Sequence, residues 1–277
     1  IDTSNKINGK PIYYLVNRSN EVVTGDAGYV ALINCTNMTV KNVNVSNNYE
    51  SILIAYTNNS KVENVTLSYS KYGIRLDNSK NVEISNCMIS NNEYGISLSS
   101  SNNNTIVNCA IFDNGEYIGT PSGGGVYLEG SFDNIISNNS ILDNIDGIYL
   151  RSSSRNIIYS NKINCTDNFG VRLDSASNNN IIINNFIYEN YEGISLSYSS
   201  YNKLAGNNVS NNRYIGIDLS CTQNNTLRNN TLFGNRYNVW IGAMKFSHYI
   251  QDIDTSNKIN GKPIYYLVNR SNEVVTG

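Results

Sequence analysis

The sequence predicts an all-β fold, a right-handed single-stranded parallel β-helix of about ten coils, each with 22–23 residues and three strands. The first observation behind this prediction is a short motif, Gly-(Ile/Val)-x-Leu, which recurs at intervals of 22, 30, 22, 23, 23 and 23 residues. A fixed period near 22 residues indicates stacked structural units, so each copy of the motif marks one coil. The motif begins at Gly73, Gly95, Gly125, Gly147, Gly170, Gly193 and Gly216.

The second observation is the pattern inside each period. Each copy contains short runs in which apolar and polar residues alternate, as they do in strands with one buried face. Asn, Ser, Gly and Asp stand between the runs, and these residues turn the chain or accept a left-handed backbone. We therefore expect Ile, Val and Leu to point inward, and Asn side chains to stack at the turns with hydrogen bonds along the rod. The alternative role for the asparagines is as ligands of sugars or ions.

The third observation is a much larger repeat. Ile1–Gly25 and Ile253–Gly277 have identical sequences, which gives a period of 252 residues and indicates tandem units. We expect residues 1–25 to form a cap or joint, residues 26–245 to form the β-helical rod, and residues 246–277 to form the next joint. The end of a β-helix exposes unpaired backbone groups, so the repeated segment is expected to close one rod and open the next.

Composition and charge narrow the function classes. The formal net charge is −2 over 277 residues, so neither a nucleic acid nor an anionic membrane is an expected partner. No apolar run approaches the ~20 residues that span a bilayer, so no membrane insertion of this segment is expected. With one histidine and no Cys-x-x-Cys, the chain is predicted to hold no metal site, and no cofactor is predicted.

Cys87 and Cys109 lie 22 residues apart, at the same place in successive coils. One interpretation is that they are small buried thiols that stack in the core. The other is a disulfide between adjacent rungs, since the spacing of rungs falls within the Cα separation that a disulfide permits.

The outward positions of the Gly-(Ile/Val)-x-Leu strand give a candidate carbohydrate-contact patch. In the middle coils they place aromatic rings beside charged groups, at Tyr127, Tyr149, Glu129, Arg151, Arg172 and Asp174. Such a combination holds sugars, but interleaved charges also keep an exposed sheet soluble. Glu129 and Asp174 are expected two rungs apart, about 10 Å between backbones, which is near the upper limit for an inverting pair of carboxylates. No catalytic residue is assigned.

The 30-residue interval before Gly125 exceeds the usual 22 by eight residues, within Asn114–Gly124. An insertion in a coil must leave the rod as a loop at a turn. Its candidate lateral-contact residues are Asn114, Glu116, Tyr117, Ile118 and Pro121. The alternative is a tolerated surface loop without a partner.

Glycosylation is a further expectation, because the sequence is rich in Asn-x-Ser/Thr sequons. The candidate acceptors are Asn17, Asn37, Asn58, Asn103, Asn138, Asn164, Asn208 and Asn229. An asparagine whose side chain is part of a turn ladder could not carry a glycan without losing that ladder.

The coil motif, in which Asn-x-Ile-x-x-Asn-x-Ile precedes Gly-Ile-x-Leu, resembles the NosD-like repeats of the carbohydrate-binding and sugar-hydrolase β-helix proteins. The array, with its Asn-Gly-Lys-Pro-Ile-Tyr-Tyr-Leu-Val-Asn joint, is similar to large tandem-repeat surface proteins of archaea. This resemblance implies a fold more strongly than an activity, because the repeat describes a core and not a site. The copper in some family names is not matched here, since one histidine and three methionines supply no copper ligand set.

The tandem period and the resemblance together predict a structural, non-enzymatic repeat unit of a large extracellular protein. The assembly is expected to be a cell-surface fibre, sheath or S-layer-like coat. Expected partners are further copies of the chain, bound end to end and laterally, with surface polysaccharide as an additional candidate. The alternatives are a carbohydrate-binding adhesin module and a polysaccharide lyase or hydrolase.

Overall fold

The computed structural model describes the backbone of residues 1–117, 120–121, 123–164 and 167–275. In these residues the chain forms three long sheets that run side by side along one rod. Each coil adds one strand to the first, second and third sheet in turn, and successive coils pair in parallel. This arrangement confirms the predicted parallel β-solenoid with three strands per coil.

The first sheet contains the Gly-(Ile/Val)-x-Leu motifs. Its strands are Lys6–Ile7, Lys10–Val16, Tyr29–Ile33, Glu50–Ala55, Tyr72–Asp77, Tyr94–Ser99, Gly124–Glu129, Ile148–Arg151, Phe169–Asp174, Glu192–Ser197, Ile215–Ser220 and Tyr237–Gly242. The second sheet consists of Val22–Thr24, Thr39–Lys41, Lys61–Glu63, Glu83–Ser85, Thr105–Val107, Ile135–Ser137, Ile157–Tyr159, Ile181–Ile183, Lys203–Ala205, Thr226–Arg228 and Asp252–Ile253.

The third sheet consists of Asn44–Ser46, Thr66–Ser68, Met88–Ser90, Ala110–Phe112, Ser140–Leu142, Lys162–Asn164, Phe186–Tyr188, Asn208–Ser210, Thr231–Phe233, Lys258–Ile259 and Lys262–Pro263. Outside the three sheets, Glu116–Tyr117 pairs with Thr120–Pro121 in a short hairpin. The helical content of the described residues is one 3-10 turn, Phe246–Tyr249.

Alternation of side chains decides which residues form the core. In Tyr72–Asp77, Ile74 and Leu76 are fully buried, whereas Arg75 lies on the outer face. Each inward residue stacks on its counterpart in the next coil, as Ile74 does on Ile96. The interior is therefore a narrow apolar column that extends along the whole rod.

The glycine of the motif is required by the close stacking of coils. A Cβ atom on Gly193 would lie 2.5 Å from the carbonyl oxygen of Gly216 and 2.5 Å from a methyl carbon of Val209. The same conflict occurs at Gly73, where the carbonyl oxygen of Gly95 would be 2.6 Å away. The motif therefore begins with glycine because any larger side chain would push two coils apart.

The three corners of each coil require left-handed backbone. In one representative coil the residues with positive φ are Asn78, Asn81, Asn86 and Asn91, with φ between 48° and 55°. Asparagine tolerates this conformation better than most residues, because its short polar side chain bonds locally. This explains much of the asparagine content of the chain.

A second set of asparagines points inward at the corners and forms hydrogen-bonded ladders. Asn161 is 2% exposed, and its Oδ1 accepts hydrogen bonds from the backbone N–H and the Nδ2 of Asn139, both at 3.0 Å. Its own Nδ2 donates to the carbonyl of Ile136 at 2.9 Å and to Asn185 at 3.1 Å. The predicted stacking of asparagines along the rod is confirmed, and every polar atom of this buried side chain has a partner.

Both copies of the repeated segment take part in the rod. The first copy supplies Lys10–Val16 and Val22–Thr24, which pair in parallel with Tyr29–Ile33 and Thr39–Lys41. The parallel strands of the rod therefore begin at Lys10, within residues 1–25, and the division into joint and rod stays a prediction. None of the described helices is long and apolar enough to cross a membrane.

Candidate functional site

The carbohydrate-contact patch lies on the outer face of the first sheet, where consecutive coils place its residues side by side. Tyr127 pairs with Tyr149, and Tyr149 with Arg172, in the register of three successive strands. Glu129, Arg151 and Asp174 occupy a second outward row on the same strands. The sequence therefore ordered these six residues correctly, although their function is a separate question.

The first row is an aromatic platform that carries a guanidinium group. The rings of Tyr127 and Tyr149 lie 5.3 Å apart at an angle of 56°. The guanidinium carbon of Arg172 lies 4.7 Å from the ring centre of Tyr149 and 4.9 Å from that of Phe169. These distances are in the range of cation–π contacts, which attract the guanidinium group to both rings.

The carboxylates of the second row are paired with arginines, one within its own strand and one across coils. Arg172 lies 3.1 Å from the carboxylate of Asp174, whose Oδ2 also accepts a hydrogen bond from the Tyr149 hydroxyl at 3.4 Å. Arg151 and Glu129 lie 3.8 Å apart, and both side chains are about half exposed. Glu129 and Asp174 flank Arg151 on either side, two rungs apart, and their negative charges are each opposed by an arginine.

A shallow pocket of about 290 Å³ opens beside the platform. Tyr127, Tyr149 and Arg172 line it, together with Asp146 and Tyr94, which the sequence interpretation missed. Asp146 is 8% exposed, and burial raises the pKa of its carboxyl. The available signal was its place immediately before Gly147, where three other coils carry Tyr or Phe, at Tyr72, Tyr94 and Phe169.

A second group of acids lies two coils farther along the same face. Glu192 is buried, and one of its carboxylate oxygens, Oε2, has no hydrogen-bond partner among the described residues. Burial, followed by the charge of Asp218, raises the pKa of Glu192 to about 6. Ser195 donates a hydrogen bond to Asp218 at 3.4 Å, and burial also raises the pKa of Asp218. Such a carboxyl can hold or release a proton near neutral pH.

A longer groove of about 1140 Å³ follows the corner between the third and first sheets. Its lining includes residues in left-handed conformation, Asn47, Tyr69, Asn91, Asp113 and Asp143. Each of them directly precedes an inward polar residue, a signal that the sequence contained but that was not used. The groove has room for an extended chain, but its acids alone assign no ligand.

The comparison with protein families decides the relationship. The model described as Periplasmic copper-binding protein (NosD) matches residues 119–265, just over half of the chain. The chain belongs to the NosD family. A second model, Right handed beta helix region, matches residues 15–144 of this NosD-family chain and agrees with the predicted handedness. No curated protein sequence matches it.

Solved structures share the fold of this NosD-family chain at low sequence identity. The Dettilon tailspike protein (gp208) gives a TM-score of 0.61 at 18% identity, over 89% of this chain and 62% of its own. A double mutant of the periplasmic alginate epimerase AlgG gives 0.61 at 19%, over 76% and 62%. The A-module of the Azotobacter vinelandii mannuronan C-5 epimerase AlgE6 gives 0.62 at 14%, over 89% and 78%. The chain thus spans less than two thirds of the tailspike and of that AlgG chain.

The copper of the family description does not fit the residues present. The single histidine, His248, is buried, and its Nδ1 already accepts a hydrogen bond from the backbone N–H of Met244 at 3.2 Å. Met38 is buried in the core, and Met88 lies half exposed on the third sheet. Within the described ranges, no three His, Cys, Asp or Glu side chains could hold a metal ion. Copper needs a convergent set of nitrogen or sulfur ligands, which these residues do not supply.

Cys87 and Cys109 are free thiols, each 2% exposed, on successive coils. Their sulfur atoms lie 3.2 Å and 3.4 Å from the carbonyl oxygens of Ser85 and Val107. Of the two interpretations that the sequence left open, the structure has the buried thiols and not the disulfide.

Asn114 does not belong to the inserted loop, which corrects the expectation that it makes a lateral contact. It is 1% exposed, and its Nδ2 donates to Asn144 at 2.9 Å and to the carbonyl of Ile89 at 3.2 Å. The loop leaves the rod after it, and its described backbone includes the hairpin of Glu116–Tyr117 with Thr120–Pro121. Ile118 lies outside the described residues. The lateral contact stays a prediction.

The sequon asparagines differ in exposure. Those that are exposed are Asn17, Asn37, Asn103, Asn138 and Asn229, and each has the left-handed backbone of a corner. Asn58, Asn164 and Asn208 are only partly exposed. The Nδ2 of Asn37 donates to Asn20 and that of Asn164 to Glu189, so a glycan there would break an existing hydrogen bond. Glycosylation stays a prediction, with the exposed corner asparagines other than Asn37 as its best candidates.

Proposed function

We propose that this NosD-family chain is the repeat unit of an extracellular tandem array, in which stiff solenoid rods are joined end to end into a cell-surface fibre, sheath or coat. The observation that carries the proposal is the placement of the repeated segment at both ends of one rod. The second copy begins within the strand Asp252–Ile253 and adds Lys258–Ile259 to the last coil, and the first copy supplies the opening strands. The same 25-residue segment therefore pairs with the rod both where the rod ends and where it begins.

The interior supports a mechanical role. Its apolar columns continue from coil to coil, hydrogen-bonded asparagine ladders join the later coils, and few buried polar atoms of the described residues lack a partner. A repeat protein of this kind is held by contacts between neighbouring coils, so further units extend it without a new core. A rod of this length suits a spacer or a coat subunit.

The proposal is tested by the mass and the location of the native protein. Denaturing mass analysis is expected to give a chain of several 252-residue periods, and protease treatment of intact cells is expected to remove it. A native chain with a single period, or one that protease reaches only after lysis, would contradict the proposal.

A second function is favoured by the platform of Tyr127, Tyr149 and Arg172 and the pocket beside it. We propose that this face contacts a polysaccharide, with the rings stacking on sugar faces and the arginine and acids bonding hydroxyl or carboxylate groups. Solved structures of similar fold include an alginate epimerase, and this likeness supports the fold and prompts the choice of ligand to test.

Replacing the platform tyrosine, Tyr149→Ala, is expected to weaken binding of a uronate oligosaccharide about fivefold, because aromatic stacking contributes roughly 1 kcal/mol. Titration calorimetry measures the affinity, with Tyr69→Ala as the matched control, since Tyr69 is 59% exposed and lies at a different corner. Equal affinities of the two variants, or no binding by the unaltered chain, would exclude this use of the face.

A further inference from the structure

The two copies of the repeated segment have the same internal conformation. The turn residues Asn8 and Gly9 have φ of 53° and 77°, and Asn260 and Gly261 have 49° and 80°. In both copies a hydrogen bond closes the hairpin, from the backbone N–H of Ile12 to Asn5 in the first and of Ile264 to Asn257 in the second, each at 3.0 Å. The segment is therefore one preformed element that occurs in two places.

The surroundings of the two copies are complementary. In the front half, Ile253 is 6% exposed and Asn257 is fully buried in the second copy, whereas Ile1 is 74% exposed in the first. In the rear half the order is reversed, because Val23 is 2% exposed in the first copy and its counterpart Val275 is 52% exposed in the second. Each copy thus uses the half that the other leaves free.

The apolar strand of the segment divides in the same way, residue by residue. In the first copy Tyr13 and Leu15 pack against the core of the rod, and Tyr14 and Val16 are 36% and 43% exposed. In the second copy the counterparts of Tyr13 and Leu15 are exposed, Tyr265 by 46% and Leu267 by 51%.

Instead, the second copy packs the alternate residues against the preceding rod. Ile264 and Tyr266, the counterparts of Ile12 and Tyr14, contact the core, and the Tyr266 hydroxyl donates to the carbonyl of Tyr249 at 2.6 Å. Successive side chains of an extended chain point to opposite sides. The two copies therefore place the core on opposite faces of the same stretch.

We propose that, at each joint of the tandem array, one copy of the segment closes the preceding rod and also opens the following rod. Residues 262–268 then lie between the two rods. The preceding rod takes Ile264 and Tyr266, and the following rod, a second copy of this unit, takes Tyr265 and Leu267. The inference rests on the proposed tandem array and adds its geometry. Consecutive rods therefore pack on opposite faces of one shared strand, and their axes are offset sideways.

The pairing of strands leads to the same geometry independently. Lys258–Ile259 belongs to the third sheet of its rod and pairs antiparallel with Lys262–Pro263. The counterpart of Lys262–Pro263 in the first copy opens the first sheet of a rod. The third sheet of one rod therefore continues into the first sheet of the next with reversed strand direction. Two coils of the same hand can run in opposite directions along one sheet only if their interiors lie on opposite sides of it.

The test uses a chain of two units, made by fusing residues 26–277 after Gly277, and two adjacent substitutions in the inner joint. Tyr265→Asp and Tyr266→Asp remove the same side chain from opposite faces of the strand. In the 277-residue chain, only Tyr266→Asp is expected to speed proteolysis of the second copy, since Tyr265 is exposed there. In the two-unit chain, both substitutions are expected to expose the inner joint to protease. The controls Tyr265→Phe and Tyr266→Phe are expected to leave it as resistant as the unaltered chain.

A two-unit chain in which Tyr265→Asp leaves the joint as resistant as the unaltered chain would overturn the shared strand. Cryo-electron microscopy of the unaltered two-unit chain gives the second readout. Rods offset sideways by about one rod width agree with the inference, whereas coaxial rods overturn it and leave the tandem array standing. Native protein of one unit would overturn the array itself, whatever the two-unit chain shows.

Discussion

The corner between the second and third sheets has two different interiors in the two halves of the rod. In the first half the inward residue of this corner is apolar or a thiol, at Val43, Val65, Cys87 and Cys109. In the second half it is asparagine in every described coil, at Asn139, Asn161, Asn185, Asn207, Asn230 and Asn257. All ten are 2% exposed or less. The same backbone corner therefore accepts two chemistries.

The transition lies between Cys109 and Asn139. The backbone N–H of Cys109 donates to Oδ1 of Asn139 at 2.9 Å, so Cys109 is the residue at which the asparagine ladder ends. In the apolar half, coils are held at this corner by dispersion and apolar burial, and in the polar half by hydrogen bonds between neighbours. A ladder is costly to interrupt because a lost rung leaves partners unsatisfied, whereas an apolar column loses only the contacts of one side chain.

The largest expected effect follows from interrupting the ladder with the residue of the other half. Asn161→Cys leaves the N–H and Nδ2 of Asn139 and the carbonyl of Ile136 without their partner. We expect a loss of about 3–5 kcal/mol in the free energy of unfolding, because each unsatisfied buried polar group costs about 1–3 kcal/mol. Urea denaturation measures it, and a loss below that of Cys87→Ala in the apolar half would contradict the distinction between the halves.

The next effect should be the same in both halves, because the glycine column is common to them. Gly73→Ala and Gly193→Ala each place a Cβ 2.5–2.6 Å from a carbonyl oxygen of the next coil. Each is expected to cost about 1–3 kcal/mol, as over-packing does in other cores. The matched control is Ser197→Ala, at an outward position of the same strand as Gly193. The measurement is the midpoint temperature of thermal unfolding. If only one of the two glycine variants lowers it, the coils stack differently in the two halves.

A smaller, pH-dependent effect is expected at the start of the first-sheet strands. In the first half this position holds Tyr72 and Tyr94, whose rings stack 5.1 Å apart, and in one strand of the second half it holds Glu192. The folded pKa of Glu192, about 6, lies above its ordinary value of 4.5. Its protonated form is therefore favoured by folding, and that contribution is complete below pH 4.5 and is lost as the pH rises through about 6.

The expected loss in unfolding free energy between pH 4.5 and 7.5 is about 1–2 kcal/mol, from roughly 1.4 kcal/mol per pKa unit. Glu192→Gln should remove this part of the pH dependence and be the more stable protein at pH 7.5. Parallel urea titrations at the two pH values measure the difference. A variant whose pH profile coincides with that of the unaltered chain would mean that Glu192 is not held protonated.

The smallest effect is expected from extending the ladder by one rung. In Cys109→Asn the new amide can accept from the backbone N–H of Cys87 and donate to the carbonyl of Ile84, which the Cys109 sulfur now faces at 3.8 Å. Because every polar atom finds a partner, the change in unfolding free energy should stay below about 1 kcal/mol. Denaturation of this variant beside Asn161→Cys shows whether the two exchanges are as unequal as expected.

Much of this structure could be predicted from the sequence, because a repeat states each rule many times. The interval of the Gly-(Ile/Val)-x-Leu motif predicted the length of each coil. The alternation of apolar and polar residues predicted which side chains face inward and the order of the outward residues from Tyr127 to Asp174. The asparagine ladders followed from the recurrence of Asn at equivalent turns.

The rest depends on neighbours that no single motif contains. Burial of Asp146 and Glu192 comes from the side chains of adjacent coils, and an acid at the start of a strand has the same local pattern whether buried or exposed. Asn114 was assigned to the insertion because it lies next to it in sequence, although its side chain is hydrogen-bonded within an asparagine ladder. The two faces of the repeated strand could not be separated, since Tyr13 and Tyr265 have identical neighbours in sequence.

The most direct test of the account is electron microscopy of native cell-surface material. If the chain is a unit of a tandem array, continuous filaments or sheets should show a repeat close to the length of one rod, about 50 Å for ten to eleven coils at about 4.8 Å each. Discrete rods of a single unit, with no regular repeat between them, would contradict it.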